Sequence, residues 1–210
     1  MLKTKIKASS IKNLSDARYF AAKEVESLGF CLDEGNENYI APHLVKAMRA
    51  WIEGPAIIGE FSLQSTEEDL DFIHALELDA VQLNFFSAVD KARLGVSVIQ
   101  EIVVEESGNY ATLLPTLARL AEGTSVFLID LEKNNLTWQK VIASPLLEVL
   151  QRLCQKYKIL LSISCTPSEI SSILKIIQPY GLSLKGGDEE RVGVKSFDEL
   201  EDLFEVLEVE

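Results

Sequence analysis

Histidine is nearly absent from this 210-residue chain, with two residues, while cysteine stands at three and tryptophan at two. Cys31, Cys154 and Cys165 are odd in number and lack metal-ligand spacing, and only His43 and His74 could join them. No metal site and no disulfide framework are expected. Cys31 and Cys154 read as small buried apolar residues. Positive charge is also short: 20 Lys and Arg against 33 Asp and Glu give a formal net charge of -13. Much of the excess acid lies in Glu67 to Asp71, Asp188 to Glu190 and Asp198 to Glu210. The basic stripe that a phosphate backbone or an anionic bilayer requires is missing, so no nucleic acid and no membrane are expected as partners. Apolar runs of membrane-spanning length are lacking, and Met1-Leu2-Lys3-Thr4-Lys5 leads into polar Ser9 and Ser10 rather than a leader's apolar core. A cytoplasmic protein, monomer or homodimer, is the expectation. The six prolines and eleven glycines are spread singly, which leaves no linker or low-complexity tract.

What the chain has in quantity is hydrophobic residues, 47% of the total, arranged as short β-rich runs alternating with amphipathic stretches. That alternation is the pattern of βα units on a parallel sheet. The expected strands are Lys5 to Ala8, Leu28 to Leu32, Ala56 to Phe61, Ala80 to Asn84, Val96 to Val104, Val126 to Leu131, Ile159 to Ser164 and Leu182 to Lys185. Helix starts are signalled by Ser15 and Asp16, by Pro42, by Ser65-Thr66-Glu67-Glu68, by Ser168 and by the capping box Ser196-Phe197-Asp198-Glu199. A short helix is expected over about Ser87 to Leu94. Trp51 and the phenylalanines read as core, and His43 and His74 as residues of outer helices. Eight such cycles fit one closed barrel spanning 1–210, although an open doubly wound sheet is also built from alternating units. Either way, function belongs at the carboxyl ends of the strands.

Five segments, in order, carry a resemblance. Lys7-Ala8-Ser9-Ser10-Ile11-Lys12-Asn13-Leu14-Ser15-Asp16-Ala17 is similar to the opening Lys-Ile-Cys-Gly-Ile-Thr signature of phosphoribosylanthranilate isomerases. Leu28-Gly29-Phe30, Tyr39-Ile40-Ala41-Pro42 and Leu78-Asp79-Ala80-Val81-Gln82-Leu83 resemble later motifs of that family. Pro179-Tyr180-Gly181, Gly187 and Gly193-Val194-Lys195 resemble its closing segment. The resemblance spans essentially the whole chain. It implies an α/β fold of the (β/α)8 TIM-barrel type and the Amadori rearrangement of a phosphoribosyl anthranilate in tryptophan biosynthesis. In that reaction a base removes the proton from ribose C2′ and an acid protonates the ring oxygen, with no metal or cofactor.

Carried over residue by residue, the resemblance implies a depleted site. Ser9 stands where the family has its catalytic Cys, and its hydroxyl is too weak an acid to act near neutral pH without an activating base. Ser10 replaces a Gly and Lys12 a Thr. Asn38 falls where the family has a substrate-holding Arg, and Asn84 where it has a His. Asp130 keeps the place of the general acid, while Leu131-Glu132-Lys133-Asn134-Asn135 replaces a glycine-rich segment; Trp138 matches a family Trp. Ile163 and Ser164 occupy the place of paired phosphate-binding glycines. Gln82, Ser164, Thr166, Lys185, Gly186 and Gly187 are the groups left to hold a small phosphorylated sugar, with Asp188-Glu189-Glu190 opposing Lys185. Cys165, ahead of a helix, is a candidate for a displaced base, though it lies across the barrel from the first strand. The expectation is an isomerase-like barrel with reduced or lost isomerase activity. A non-catalytic ligand- or partner-binding barrel, or an enzyme acting on a different phosphosugar, are the alternatives.

Overall fold

Strands buried on both faces must be apolar nearly throughout, and Val126-Phe127-Leu128-Ile129 meets that demand before ending on Asp130. The computed structural model describes residues 1–61, 71–106, 108–185, 189–191, 194–195 and 197–209. Eight parallel strands close a barrel in sequential order: β1 (Lys5–Ser9), β2 (Ser27–Cys31), β3 (Ala56–Phe61), β4 (Ala80–Leu83), β5 (Ser97–Val103), β6 (Val126–Asp130), β7 (Ile159–Ser162) and β8 (Gly181–Lys185). Closure is made by β1 against β8, with Ser9 level with Lys185. The barrel replaces the open-sheet alternative. Beyond β8, β9 (Glu189–Arg191) and β10 (Val194–Lys195) form an antiparallel pair that the sequence did not announce.

The helices are α1 (Leu14–Ala22), α2 (Pro42–Arg49), α3 (Asp71–Ala75), α4 (Leu113–Leu120), α5 (Trp138–Ile142), α6 (Leu146–Lys156), α7 (Pro167–Ile176) and α8 (Asp198–Leu207). Each lays an apolar stripe on the outside of the barrel; in α6 the stripe is Leu146, Leu150 and Leu153, spaced by one helical turn and all buried. Among the described residues, no helix is long and apolar enough to cross a membrane.

Several local expectations are corrected. Asn13, rather than Ser15 or Asp16, caps α1 by accepting the Asp16 N–H at 2.8 Å. At α7 the cap is Thr166, whose own N–H donates to Glu169 at 2.8 Å, and not Ser168. Ser87 to Leu94 forms only a 3-10 turn over Lys91–Arg93, because a segment of that length gains too few hydrogen bonds to offset helix nucleation. The strand ends expected at Asn84 and Ser164 lie beyond β4 and β7. Trp51 is not core: it follows the end of α2, is 67% exposed, and lies under the Arg18 guanidinium. Phe85 and Phe86 also sit on the surface, whereas Phe20, Phe30, Phe61, Phe127 and Phe204 are buried. His43 and His74 are exposed on α2 and α3 as expected. The start signal at Ser65 to Glu68 and Ser196 of the capping box lie outside the described residues.

Candidate functional site

Side chains alternate along a strand, so every second residue of each barrel strand points inward. Ile58, Ala80, Ile99, Leu128 and Leu160 make an apolar cluster inside the barrel. Two residues further along the same strands stand Glu60, Gln82, Glu101, Asp130 and Ser162, all buried. β1 and β8 add Lys7, Ser9 and Ser183, also buried. All of these polar groups except Lys7, which lies behind Ser9 and Glu60, line a cavity of about 170 Å³ at the carboxyl ends of the strands, joined by Asn36, Glu37 and Asn38 from the loop after β2 and by Lys133 and Lys185. Small-molecule sites usually measure about 300–1,000 Å³, so this mouth is narrow.

Two ion pairs organise it, one buried and one whose lysine reaches in from solvent, its side chain 40% exposed. Lys7 Nζ donates to Glu60, and to Ser9 Oγ at 2.6 Å. The other Glu60 oxygen accepts the Ser10 N–H at 3.0 Å and the Ser10 hydroxyl at 3.3 Å. Ser10 holds a left-handed backbone with φ 56°, a conformation strained for any residue with a Cβ and natural to the glycine the resemblance led one to expect. Gly29 leaves room for the pair: a Cβ there would press on Glu60 Oε1 and fall 2.9 Å from Lys7 Nζ, so the two side-chain ends would have to shift.

The second pair joins Lys133 Nζ to Glu101 at 2.6 Å, with Asp130 Oδ2 at 3.8 Å from the same ammonium. Burial pushes the Glu101 carboxyl above its ordinary range; Lys133 draws it back, and Asp130 and Glu60 add to the rise. Burial works against the Lys133 ammonium, yet attraction from Glu101, Asp130 and Glu60 leaves its pKa raised.

The expected site residues divide. Ser9, Gln82, Asp130 and Lys185 do line the cavity. Ser9 Oγ lies 2.7 Å from Ser183 Oγ as well as against Lys7, a partner that the sequence reading did not anticipate. Asp130 Oδ1 accepts the Lys133 N–H at 2.9 Å. Lys185 Nζ is 3.3 Å from Glu132, which also accepts from Ser162. Gln82 Oε1 is buried with no hydrogen-bond partner among the described residues. Ser164 and Thr166 are exposed on the way into α7, where the Thr166 hydroxyl lies 3.0 Å from that of Ser168. Gly186 and Gly187 lie outside the described residues. Asn84 serves a turn, accepting the Phe86 N–H at 2.8 Å, and Ile163 is buried core. Cys165 does not have a lowered pKa: burial, then the charges of Glu169 and Glu132, push it up to about 11, which removes it as a base near neutral pH.

Sequence reasoning missed Lys7, Glu60, Glu101 and Lys133. A signal for the two acids was present. Each stands two residues after an isoleucine on a barrel strand, and a charge at an inward position of such a strand must be paired or functional.

The family model described as "N-(5'phosphoribosyl)anthranilate (PRA) isomerase" matches residues 6–206. Among curated proteins, N-(5'-phosphoribosyl)anthranilate isomerase of Aquifex aeolicus is 24% identical over 204 residues, covering 92% of this chain and 93% of its own. The crystal structure of phosphoribosyl anthranilate isomerase from Thermus thermophilus superposes with a TM-score of 0.72 at 25% identity, covering 96% of this chain and 97% of that one. A phosphoribosyl anthranilate isomerase in complex with reduced 1-(o-carboxyphenylamino)-1-deoxyribulose 5-phosphate gives a TM-score of 0.71 at 20% identity, over 96% and 97% of the two chains.

Proposed function

The chain belongs to the N-(5'-phosphoribosyl)anthranilate isomerase family of tryptophan biosynthesis, and from that premise we propose that it keeps the isomerase scaffold with isomerase activity reduced or lost. The observation that carries this reading is the setting of Ser9. Its hydroxyl takes the place of the base, and the one amine beside it, Lys7, is an ammonium held by buried Glu60. Lys7 Nζ donates a hydrogen bond to Ser9 Oγ rather than accepting one. Without an acceptor the hydroxyl does not become the alkoxide needed to take the C2′ proton.

The remaining machinery points the same way. Asp130 Oδ1 accepts the Lys133 backbone N–H and Oδ2 lies 3.8 Å from the Lys133 ammonium, a setting that favours the carboxylate, whereas an acid must present a carboxyl proton to the ring oxygen. Lys185, the cation proposed for the substrate phosphate, is engaged by Glu132. The narrow mouth is a poor fit for a substrate with an aromatic acid at one end and a phosphate at the other. Losing a general base typically lowers rates by about 100- to 10,000-fold.

The deciding measurement is steady-state turnover of phosphoribosyl anthranilate by the purified protein. A kcat/KM near that of an ordinary family member, abolished by Asp130→Asn, would overturn the reading. Ser9→Cys sharpens it: a thiol beside the Lys7 ammonium gains thiolate character, so turnover rises at least about tenfold if the missing base is the main defect.

A further inference from the structure

Charge inside the mouth does not balance. Glu60, Glu101 and Asp130 are each no more than 4% exposed. Among the described residues two ammonium groups pair with these three carboxylates: Lys7, buried beside Glu60, and Lys133, 40% exposed, which reaches Glu101 and Asp130. Lys185 does not close the difference, since it is matched by Glu132 nearer the rim. A carboxylate taken out of water without a counter-charge is costly and either takes up a proton or recruits a cation. Burial raises the Glu101 carboxyl in keeping with that cost, and Lys133 only partly draws it back.

A second, independent feature faces the same space. Gln82 is 5% exposed, lines the cavity, and presents a carbonyl oxygen with no donor among the described residues. Glu60 is its register partner on the neighbouring strand. A buried amide oxygen left unsatisfied forfeits a hydrogen bond that a ligand N–H can restore.

Resting on the reading that the family's phosphosugar chemistry is reduced here, we propose that the barrel mouth binds a small monocationic amine, its N–H groups donating to Gln82 Oε1 and to the Glu101 and Asp130 carboxylates. One positive charge restores neutrality among the buried groups, and one ammonium carries the donors that the Gln82 oxygen and the acids accept. A phosphate ester fails on both counts, because it brings further negative charge and no obligatory donor. Among the described residues no group of histidines, cysteines and carboxylates is arranged to hold a metal ion. The cavity of about 170 Å³ restricts the amine to a few carbon atoms.

Three probes on a common three-carbon backbone separate the possibilities: 2-amino-1,3-propanediol and glycerol, equal in size and cationic and neutral, and the larger, anionic glycerol 3-phosphate. Titration into the whole protein is followed by calorimetry and by the Gln82 side-chain amide resonance. The aminodiol should bind at least tenfold more tightly than glycerol, shift the Gln82 signal and weaken as salt is added. Glycerol 3-phosphate should show no binding. Gln82→Leu and Glu101→Gln should each remove most of the aminodiol preference, and a native-like thermal transition for either variant suffices to read the result. Equal binding of the aminodiol and glycerol, tighter binding of the phosphate ester, or no binding by any probe overturns the proposal. Isomerase turnover is measured on the same preparation: low turnover without aminodiol binding defeats this proposal alone, whereas normal turnover defeats the reading beneath it.

Discussion

One step of strand pleat separates two regions of the barrel interior with opposite rules. The lower layer, Ile58, Ala80, Ile99, Leu128 and Leu160, is held by shape and apolar contact. The upper layer, Glu60, Gln82, Glu101, Asp130 and Ser162, rides on the same strands, yet its three acids are held by pairing with Lys7 and Lys133. In the lower layer a lost methylene costs its own contacts and little more. In the upper layer removal of one group strands its partner, so damage is set by what is left behind.

The largest effect should therefore come from breaking one pair. Lys7→Met leaves Glu60 buried and uncompensated, and chemical denaturation should show a loss of about 3–5 kcal/mol. The Lys7→Met, Glu60→Met double variant should recover most of it, because no charge is then left alone; equal losses in single and double variants would break the comparison. Next is Gly29→Ala, whose methyl group displaces the ends of Glu60 and Lys7: a loss of about 1–3 kcal/mol is expected, again by denaturation. In the lower layer Ile99→Val should cost about 0.5–1.5 kcal/mol. If it costs as much as Lys7→Met, the two layers obey one rule after all.

A smaller effect appears with pH. The folded Glu101 carboxyl is raised by burial, so above the ordinary carboxylate range the native state still holds a proton that the unfolded chain has released. Folding then takes up a proton, and the Glu101 contribution to stability falls as pH rises through that window and levels off above the folded value. Comparing unfolding free energies of the protein and Glu101→Gln across pH reads the slope directly. Smallest of all, Trp51→Ser on the exposed end of α2 should stay within about 0.5 kcal/mol.

The lower layer was legible in the sequence because an apolar run in a parallel strand has one interpretation. All eight strands fall where those runs do, with ends displaced by one or two residues. The upper layer was legible only in part. Asp130 stood out as a charge at a strand end, and Ser9 and Gln82 were found through the resemblance. Glu60 and Glu101 were passed over, since their importance lies in which lysine reaches them, and the Lys7–Glu60 contact spans 53 positions. Trp51 failed for a different reason: composition says that tryptophan is usually buried but not which side of a helix end it leaves on.

Gly29, Lys7 and Glu60 restrict the order in which this mouth can change. A side chain at position 29 displaces the ends of the Lys7–Glu60 pair, and neither member of that pair can be replaced alone without exposing the other. Single changes at these three positions therefore carry a stability cost that a joint change avoids. Library designs that vary positions 7, 29 and 60 together should recover folded variants that sequential single-site scanning discards.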